Sequence, residues 1–336
     1  MTLLLLACAP IEVWGDEPPE PPEGLTVSSS QVEADGTVRF EVDPATTALL
    51  FHVRVLDPGR NDWVDADILE GPPELVGIHL TGAFRPELTA RWPNNPAQSS
   101  VDLGGSWALV LNGPRGKDAV VSVLEWADTD PDAATLHVQV VFTEELHSDA
   151  IRDEVQQAVA VWQSLWEPYG LSVAPYYQWS TAPSDCPNAL ERGSEVYQEL
   201  SAAGADHDIT LVVCGSLKGL PEDAMGVSFG GPPVSSPYAA VALRYRDETG
   251  LLGQTMAHEV SHTANLQHAE LDELSDTPEC SGSEECRDLL GTNNLFGGAV
   301  CVPAPDEVQV VDGCWLQDEL TPQQVWMLQN WAVATE

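Results

Sequence analysis

The spacing of apolar residues changes at the charged, turn-forming segment Asp128–Asp132, and this change divides the chain into two parts. Before it, short runs in which apolar and polar residues alternate, such as 37–42 and 50–55, are separated by Gly, Pro, Asn and Asp. Short strands with regular turn signals are typical of a β-sandwich, which we predict for residues 25–128. This stretch contains no cluster of metal-ligand residues and no nucleophile–base pair. We therefore interpret it as an accessory domain.

Strand patterns alternate with helix patterns after the break. Residues 136–142 indicate a strand, and Ser148 is placed to cap a helix that runs, with apolar residues on one side, towards Gly170. A second helix is predicted over about 188–203. Such an alternation predicts an α/β domain, with helices packed on a sheet, over residues 133–336. Further strands are predicted at 171–179, 209–213 and 241–245.

The charge of the chain argues against one class of partner. Asp and Glu number 53 against 13 Lys and Arg, so the net charge is −40. A field of this sign repels phosphate, and we therefore expect no binding to nucleic acid. Beyond the N-terminus no apolar run approaches the roughly 20 residues that span a bilayer, so any membrane contact is expected only through an N-terminal lipid anchor. The oligomeric state is left open.

The N-terminal residues 1–8 form a short apolar segment that ends at Cys8. The segment resembles the end of a bacterial lipoprotein signal, although the basic start of such signals is missing and the apolar run is short. The resemblance implies cleavage before Cys8 and lipid attachment to its thiol, hence a protein of the cell envelope or the extracellular space. A frayed apolar terminus is the alternative. Residues 9–24 are rich in Pro and Glu, and we predict an extended, unpacked tether.

Six cysteines remain after Cys8, all in the C-terminal half of the chain. An even number in an exported chain indicates three disulfides, for which 15 pairings exist. Local pairing is the arrangement we favour, namely Cys186–Cys214, Cys280–Cys286 and Cys301–Cys314.

Two histidines and a glutamate lie together at the start of the segment 258–268. On a helix, His258 and His262 leave the same face one turn apart, and two neutral imidazoles so placed can bind one Zn²⁺. Glu259 points slightly around the helix. From there its carboxylate can reach a zinc-bound water, as a general base should.

A third histidine, His268, can join the same metal only if the helix ends after about Ala264. The turn usually needs a residue that tolerates positive φ, and Asn265 stands at the required place. Three histidine ligands leave a fourth position for water, which is the arrangement of a catalytic zinc site.

This pattern, HExxHxxNxxH, resembles the signature of the metzincin zinc metallopeptidases, in which a Gly stands in the place of Asn265. The resemblance covers about 200 residues and implies an α/β catalytic domain whose active-site helix lies between an upper sheet and an irregular lower part. Downstream segments are similar to the pappalysin and matrixin branches. The last of them is a helix start with the capping pattern Thr321-Pro322-x-Gln324. Phe296 stands where the family has a Met beneath the zinc, and we expect its ring to fill that volume.

The resemblance implies an exported zinc endopeptidase that acts on protein or peptide substrates with Glu259 as general base. The alternative is an inactive surface lipoprotein with a structural zinc and a partner-binding β-domain, and a binding module with an incidental motif is a more distant one. A substrate strand would lie along Gly226–Gly231, for which an ordinary Gly-rich loop is an equal alternative. The acidic stretch 270–288 could hold Ca²⁺, but it lacks EF-hand spacing and no calcium ligand is assigned.

Overall fold

The computed structural model describes the chain over residues 11–20, 23–56, 63–81, 87–93, 98, 100–113, 118–127, 134–186, 197, 199–200, 204, 209–220, 224–228, 241–264, 266, 310–311, 314–315, 320 and 322–331. The strands are β1 (Val13–Gly15), β2 (Leu25–Gln31), β3 (Thr37–Val42), β4 (Thr46–Val55), β5 (Asp65–Glu70), β6 (His79–Thr81), β7 (Glu87–Trp92), β8 (Gly105–Asn112), β9 (Ala119–Ala127), β10 (Ala134–Phe142), β11 (Leu171–Ser180), β12 (Asp185–Cys186), β13 (Ile209–Cys214), β14 (Ser216–Leu217), β15 (Gly226–Ser228), β16 (Val241–Arg244), β17 (Val310–Val311) and β18 (Cys314–Trp315). The α-helices whose bounds the structure describes are α1 (Asp149–Trp166), α2 (Thr249–Thr263) and α3 (Pro322–Trp331).

The N-terminal region contains two four-stranded antiparallel sheets, with strand orders β2-β9-β4-β7 and β3-β8-β5-β6. Alternate residues of both sheets enter one hydrophobic cluster, as the period-2 pattern of the sequence predicts. Aromatic rings join the sheets at its centre: the ring of Phe51 lies 6.2 Å from that of Phe40 and 6.3 Å from that of Trp107. Burying these large rings removes much apolar surface from water and holds the two sheets together.

The C-terminal region is built on a six-stranded mixed sheet in the order β1-β11-β10-β13-β16-β15. The four central strands are parallel, and the two edge strands, β1 and β15, are antiparallel to their neighbours. Helices α1 and α2 pack on one face of this sheet through a large hydrophobic cluster that includes Trp162, Trp166, Met256 and Val260. The strands predicted at 136–142, 171–179, 209–213 and 241–245 are all present, so an α/β sheet is confirmed.

The ends of α1 are those that the sequence predicts. Ser148 occupies the N-cap position in extended conformation, although its side chain makes no capping hydrogen bond, and the helix passes into a 3₁₀ turn at Glu167–Tyr169 before Gly170 takes a φ of 71°. Glycine adopts this left-handed conformation without steric cost, so the chain can reverse into β11. Of the second predicted helix, 188–203, residues 197, 199 and 200 are described and are helical. Helix α3 begins at Pro322, as its capping pattern predicts.

The N-terminal segment is not wholly unpacked, contrary to our expectation for residues 9–24. Strand β1 pairs with β11, and the carboxylate of Asp16 accepts a hydrogen bond from the Tyr177 N–H at 2.9 Å. Arg152 on α1 contributes an ion pair to the same carboxylate. The prediction failed because a three-residue strand is too short for periodicity to reveal, and its partners lie more than 130 residues away in sequence.

The two regions share a hydrophobic core. One face of β4 and β9 presents Leu50, Leu124 and Trp126 to the cluster that also contains α1 and α2. The Cys186–Cys214 disulfide is present, with a Cα–Cα distance of 5.7 Å, and this predicted pair is confirmed. The side chains of the other two predicted pairs, and Cys8, lie outside the described residues. Among the described helices, none has the length and apolar character needed to cross a membrane.

Candidate active site

Helix α2 carries the candidate site on its last turns and is fixed by close contact with α1. At Gly253 a Cβ atom would lie 2.3 Å from the backbone oxygen of Ala158, so only glycine allows the two helices to approach this closely. Leu252, Met256 and Val260 are fully buried on the core side of α2. This packing leaves His258 and His262 partly exposed on another side of the helix.

The two imidazoles converge on one point. The Nε2 atoms of His258 and His262 are 3.0 Å apart, and the ring planes are nearly perpendicular, at 89°. The Nδ1 atom of His262 lies 2.7 Å from the carbonyl oxygen of Leu266 and donates to it, because a carbonyl can only accept. The proton of a neutral His262 ring is therefore on Nδ1, which leaves the Nε2 lone pair directed at the shared point. A carbonyl partner of this kind is the usual orienting contact of a metal-ligating histidine.

This donor pair fits Zn²⁺. Two nitrogens bound to a tetrahedral zinc at about 2.0–2.1 Å lie about 3.3 Å apart, close to the observed separation. Within the described residues, no group of three His, Cys, Asp or Glu side chains that could hold a metal is found. The third predicted ligand, His268, lies outside those residues, as do Asn265 and Phe296, so these three assignments stay predictions. Helix α2 does end at Thr263, which is where the turn towards His268 was expected.

Glu259 lies beside the histidine pair and is directed at strand β15. Burial raises the pKa of its carboxyl to about 7, although the residue as a whole is partly exposed, and a hydrogen bond from the backbone of Ser228 lowers this pKa. The carboxyl can thus hold or release a proton near neutral pH. This property is required of a group that takes a proton in one step and returns it in another.

Among the residues that the structure describes, β15 is the last strand of the sheet at the edge beside α2. The Arg244 N–H donates to the Met225 carbonyl at 2.8 Å, so Met225 and Arg244 form a hydrogen-bonded pair. Because hydrogen-bonded and non-hydrogen-bonded pairs alternate along an antiparallel ladder, the backbone groups of Gly226 and Ser228 point away from β16. Residues 226–228 of the predicted edge Gly226–Gly231 are therefore an edge strand, and 229–231 lie outside the described residues.

The sequence did not reveal the contact between Glu259 and β15. A Cβ atom at Gly226 would lie 2.7 Å from Cγ of Glu259, and the Ser228 N–H reaches the carboxylate of the same residue. Gly226 was the feature of the sequence that could have predicted this contact. A glycine inside a short edge strand often marks the close approach of another group.

A scan against protein-family models finds no match for this chain, and neither does a search of curated proteins. Among solved structures, metalloproteinase-II from Bacteroides fragilis matches with 15% identity and a TM-score of 0.30, covering 44% of this chain and 46% of that one. Archaemetzincin from Methanopyrus kandleri matches with 14% identity and a TM-score of 0.27, covering 46% of this chain and 93% of that one. A β-(1,4)-mannanase from Podospora anserina matches with 13% identity and a TM-score of 0.17, covering 62% and 50%. The match thus spans less than half of the Bacteroides protein, and similarities of this extent do not assign the chain to a family.

Proposed function

We propose that this chain is a zinc-dependent endopeptidase that hydrolyses peptide bonds, with His258, His262 and His268 as zinc ligands and Glu259 as general base. The observation that carries the proposal is the convergence of the His258 and His262 Nε2 atoms at 3.0 Å, next to a buried carboxyl group. Two oriented imidazoles alone suit a structural metal as well. A carboxyl group of raised pKa beside them is the additional group that hydrolysis requires.

The mechanism assigns separate roles to the residues of the site. When bound, zinc would supply a Lewis acid and a water of lowered pKa. Glu259 accepts the proton of the attacking water and then delivers it to the nitrogen of the leaving amine. His262 is kept in the ligating tautomer by its hydrogen bond to the Leu266 carbonyl.

The substrate peptide would bind as an added strand along β15. The outward backbone groups of Gly226 can pair with an extended peptide, as in other cases of strand addition to a sheet edge. Such pairing depends on the peptide backbone, so it accepts many sequences. It would place the peptide next to Glu259 because that residue contacts the same strand.

We also propose that the chain is exported and carries a lipid on Cys8, and that residues 25–128 form an accessory β-sandwich. The apolar segment before Cys8 and the buried Cys186–Cys214 disulfide support export, since disulfides persist in oxidising compartments. Mass spectrometry of the mature N-terminus would test this proposal. A diacylglycerol-sized addition on Cys8 supports it, and an unmodified Met1 contradicts it.

Cleavage of a peptide library by the zinc-loaded protein tests the peptidase proposal, with Glu259→Ala as the matched control. We expect cleavage by the parent protein and loss of cleavage in the variant, with zinc content of both near one per chain. Cleavage by neither protein, with zinc still bound, would support the inactive surface protein. Absence of zinc from both would support a binding module with an incidental motif.

A further inference from the structure

Strand β15 lies close against the side chain of Glu259. Three side-chain atoms surround the position that a Cβ of Gly226 would take: Glu259 Cγ at 2.7 Å, Leu243 Cδ2 at 2.8 Å and Thr255 Cγ2 at 3.1 Å. Thr255 and Glu259 are four residues apart on α2 and so share one face of the helix. That face lies against β15, and the missing side chain of Gly226 makes the contact possible.

The backbone of β15 completes the contact. Ser228 is two residues from Gly226, so its N–H also points away from β16, and it donates a hydrogen bond to the carboxylate of Glu259. A carboxylate that accepts from a backbone N–H is held more firmly than one that faces only water. The side chain of Glu259 is therefore fixed at two points, by contact of its Cγ with Gly226 and by the hydrogen bond from Ser228.

We propose that strand β15 is a clamp that positions Glu259 for catalysis, with Gly226 as a positioning residue and the Ser228 N–H as the holding group. The role in catalysis rests on the proposed peptidase function, whereas the clamp itself does not. A glutamate at the rim of a site would otherwise sample several rotamers, and each wrong rotamer removes the base from the reacting water. Misplacing a catalytic group by about 1 Å can cost about 100-fold in rate.

The first experiment measures amide hydrogen exchange by NMR in the full chain and its Glu259→Ala variant. We expect the Ser228 amide to be protected in the parent protein and to exchange at least about tenfold faster in the variant, because the variant lacks the carboxylate that accepts its hydrogen bond. The amide of Val227 serves as internal control, since it faces β16 and should keep its exchange rate. Equal exchange of the Ser228 amide in both proteins would overturn the clamp, whether or not the protein cleaves peptides.

The second experiment introduces Gly226→Ala, with Gly215→Ala as the matched control. A Cβ at Gly215 would lie 3.4 Å from its nearest neighbours, an ordinary contact, so this variant should behave as the parent. For Gly226→Ala we expect kcat to fall by about 100-fold with little change in KM, because the methyl group displaces Glu259 while the outward backbone groups remain. A kcat close to that of the parent would overturn the positioning role.

A stability cycle keeps the proposal testable if Gly226→Ala weakens the fold. The melting temperature lost through Gly226→Ala should be about 2–4 °C smaller in the Glu259→Ala background, because the closest contact is then absent. An equal loss in both backgrounds would show that Glu259 does not meet Gly226. If the parent cleaves no peptide but the exchange and stability results hold, the peptidase proposal fails and the clamp stands.

Discussion

Replacing Glu259 with glutamine should remove a specific pH dependence from the stability of the metal-free protein. Burial raises the pKa of this carboxyl from 4.5 to about 7 in the folded state, while in the unfolded chain it returns to its ordinary value. Each pKa unit corresponds to about 1.4 kcal/mol, so the folded state disfavours the ionised form by about 3 kcal/mol. Glutamine has nearly the same shape and carries no charge at any pH.

The sign of the effect follows from proton binding. Below pH 4.5 the carboxyl group is protonated in both states and favours neither. As the pH rises from 4.5 to about 7, the unfolded chain releases the proton first, so the free energy of unfolding falls. Relative to its value at pH 4.5, the parent should therefore lose about 3 kcal/mol more than Glu259→Gln by pH 8.

Urea unfolding in the presence of a chelator, at several pH values between 4 and 8, measures this difference. The control is Glu145→Gln, since Glu145 is exposed in the same region and its replacement removes the same formal charge. We expect the control to follow the parent. The free energies of unfolding of the parent and of Glu259→Gln could instead change with pH in parallel. Burial would then not disfavour the ionised carboxylate, and the argument for its raised pKa would be refuted.

Three further predictions concern the metal, the helix crossing and the shared core. His258→Ala should lower zinc affinity by more than about 100-fold in a calorimetric titration. Loss of a residue that only orients a ligand costs about 10–100-fold, and loss of a ligand should cost more. The control His79→Ala should leave zinc affinity unchanged. Gly253→Ala should lower the free energy of unfolding by at least about 1–3 kcal/mol in urea because its Cβ would meet a backbone oxygen at 2.3 Å, whereas Gly215→Ala should have little effect. Trp126→Ala should cost about 3–5 kcal/mol and lower the thermal transitions of both regions together, and a shift of only one transition would contradict a common core.

The sequence was sufficient for the central strands of the C-terminal sheet, for helix α1 and for part of the site. Strands such as β10 and β13 are continuous or alternating apolar runs, and α1 has a serine at its N-cap position, an apolar face and a glycine after the turn that follows it, so local patterns specify them. The histidine pair could be predicted because residues four positions apart lie on the same face of a helix. Strand β1 could not be found, since three residues carry no period and its position depends on hydrogen bonds to Tyr177.

The sequence motif identifies the chemical groups of the site, while distant parts of the chain determine their properties. Glu259 follows His258 in any chain with this motif, but its pKa depends on burial that only the packed structure provides. The enclosing contact comes from Gly226, which is 33 residues earlier in the sequence and lies on the opposite side of β16 from β13 in the sheet. If the edge strand carried a larger residue in place of Gly226, the motif would be unchanged, but the side chain of Glu259 would be displaced. The position of Glu259 therefore depends on a glycine that the motif does not contain.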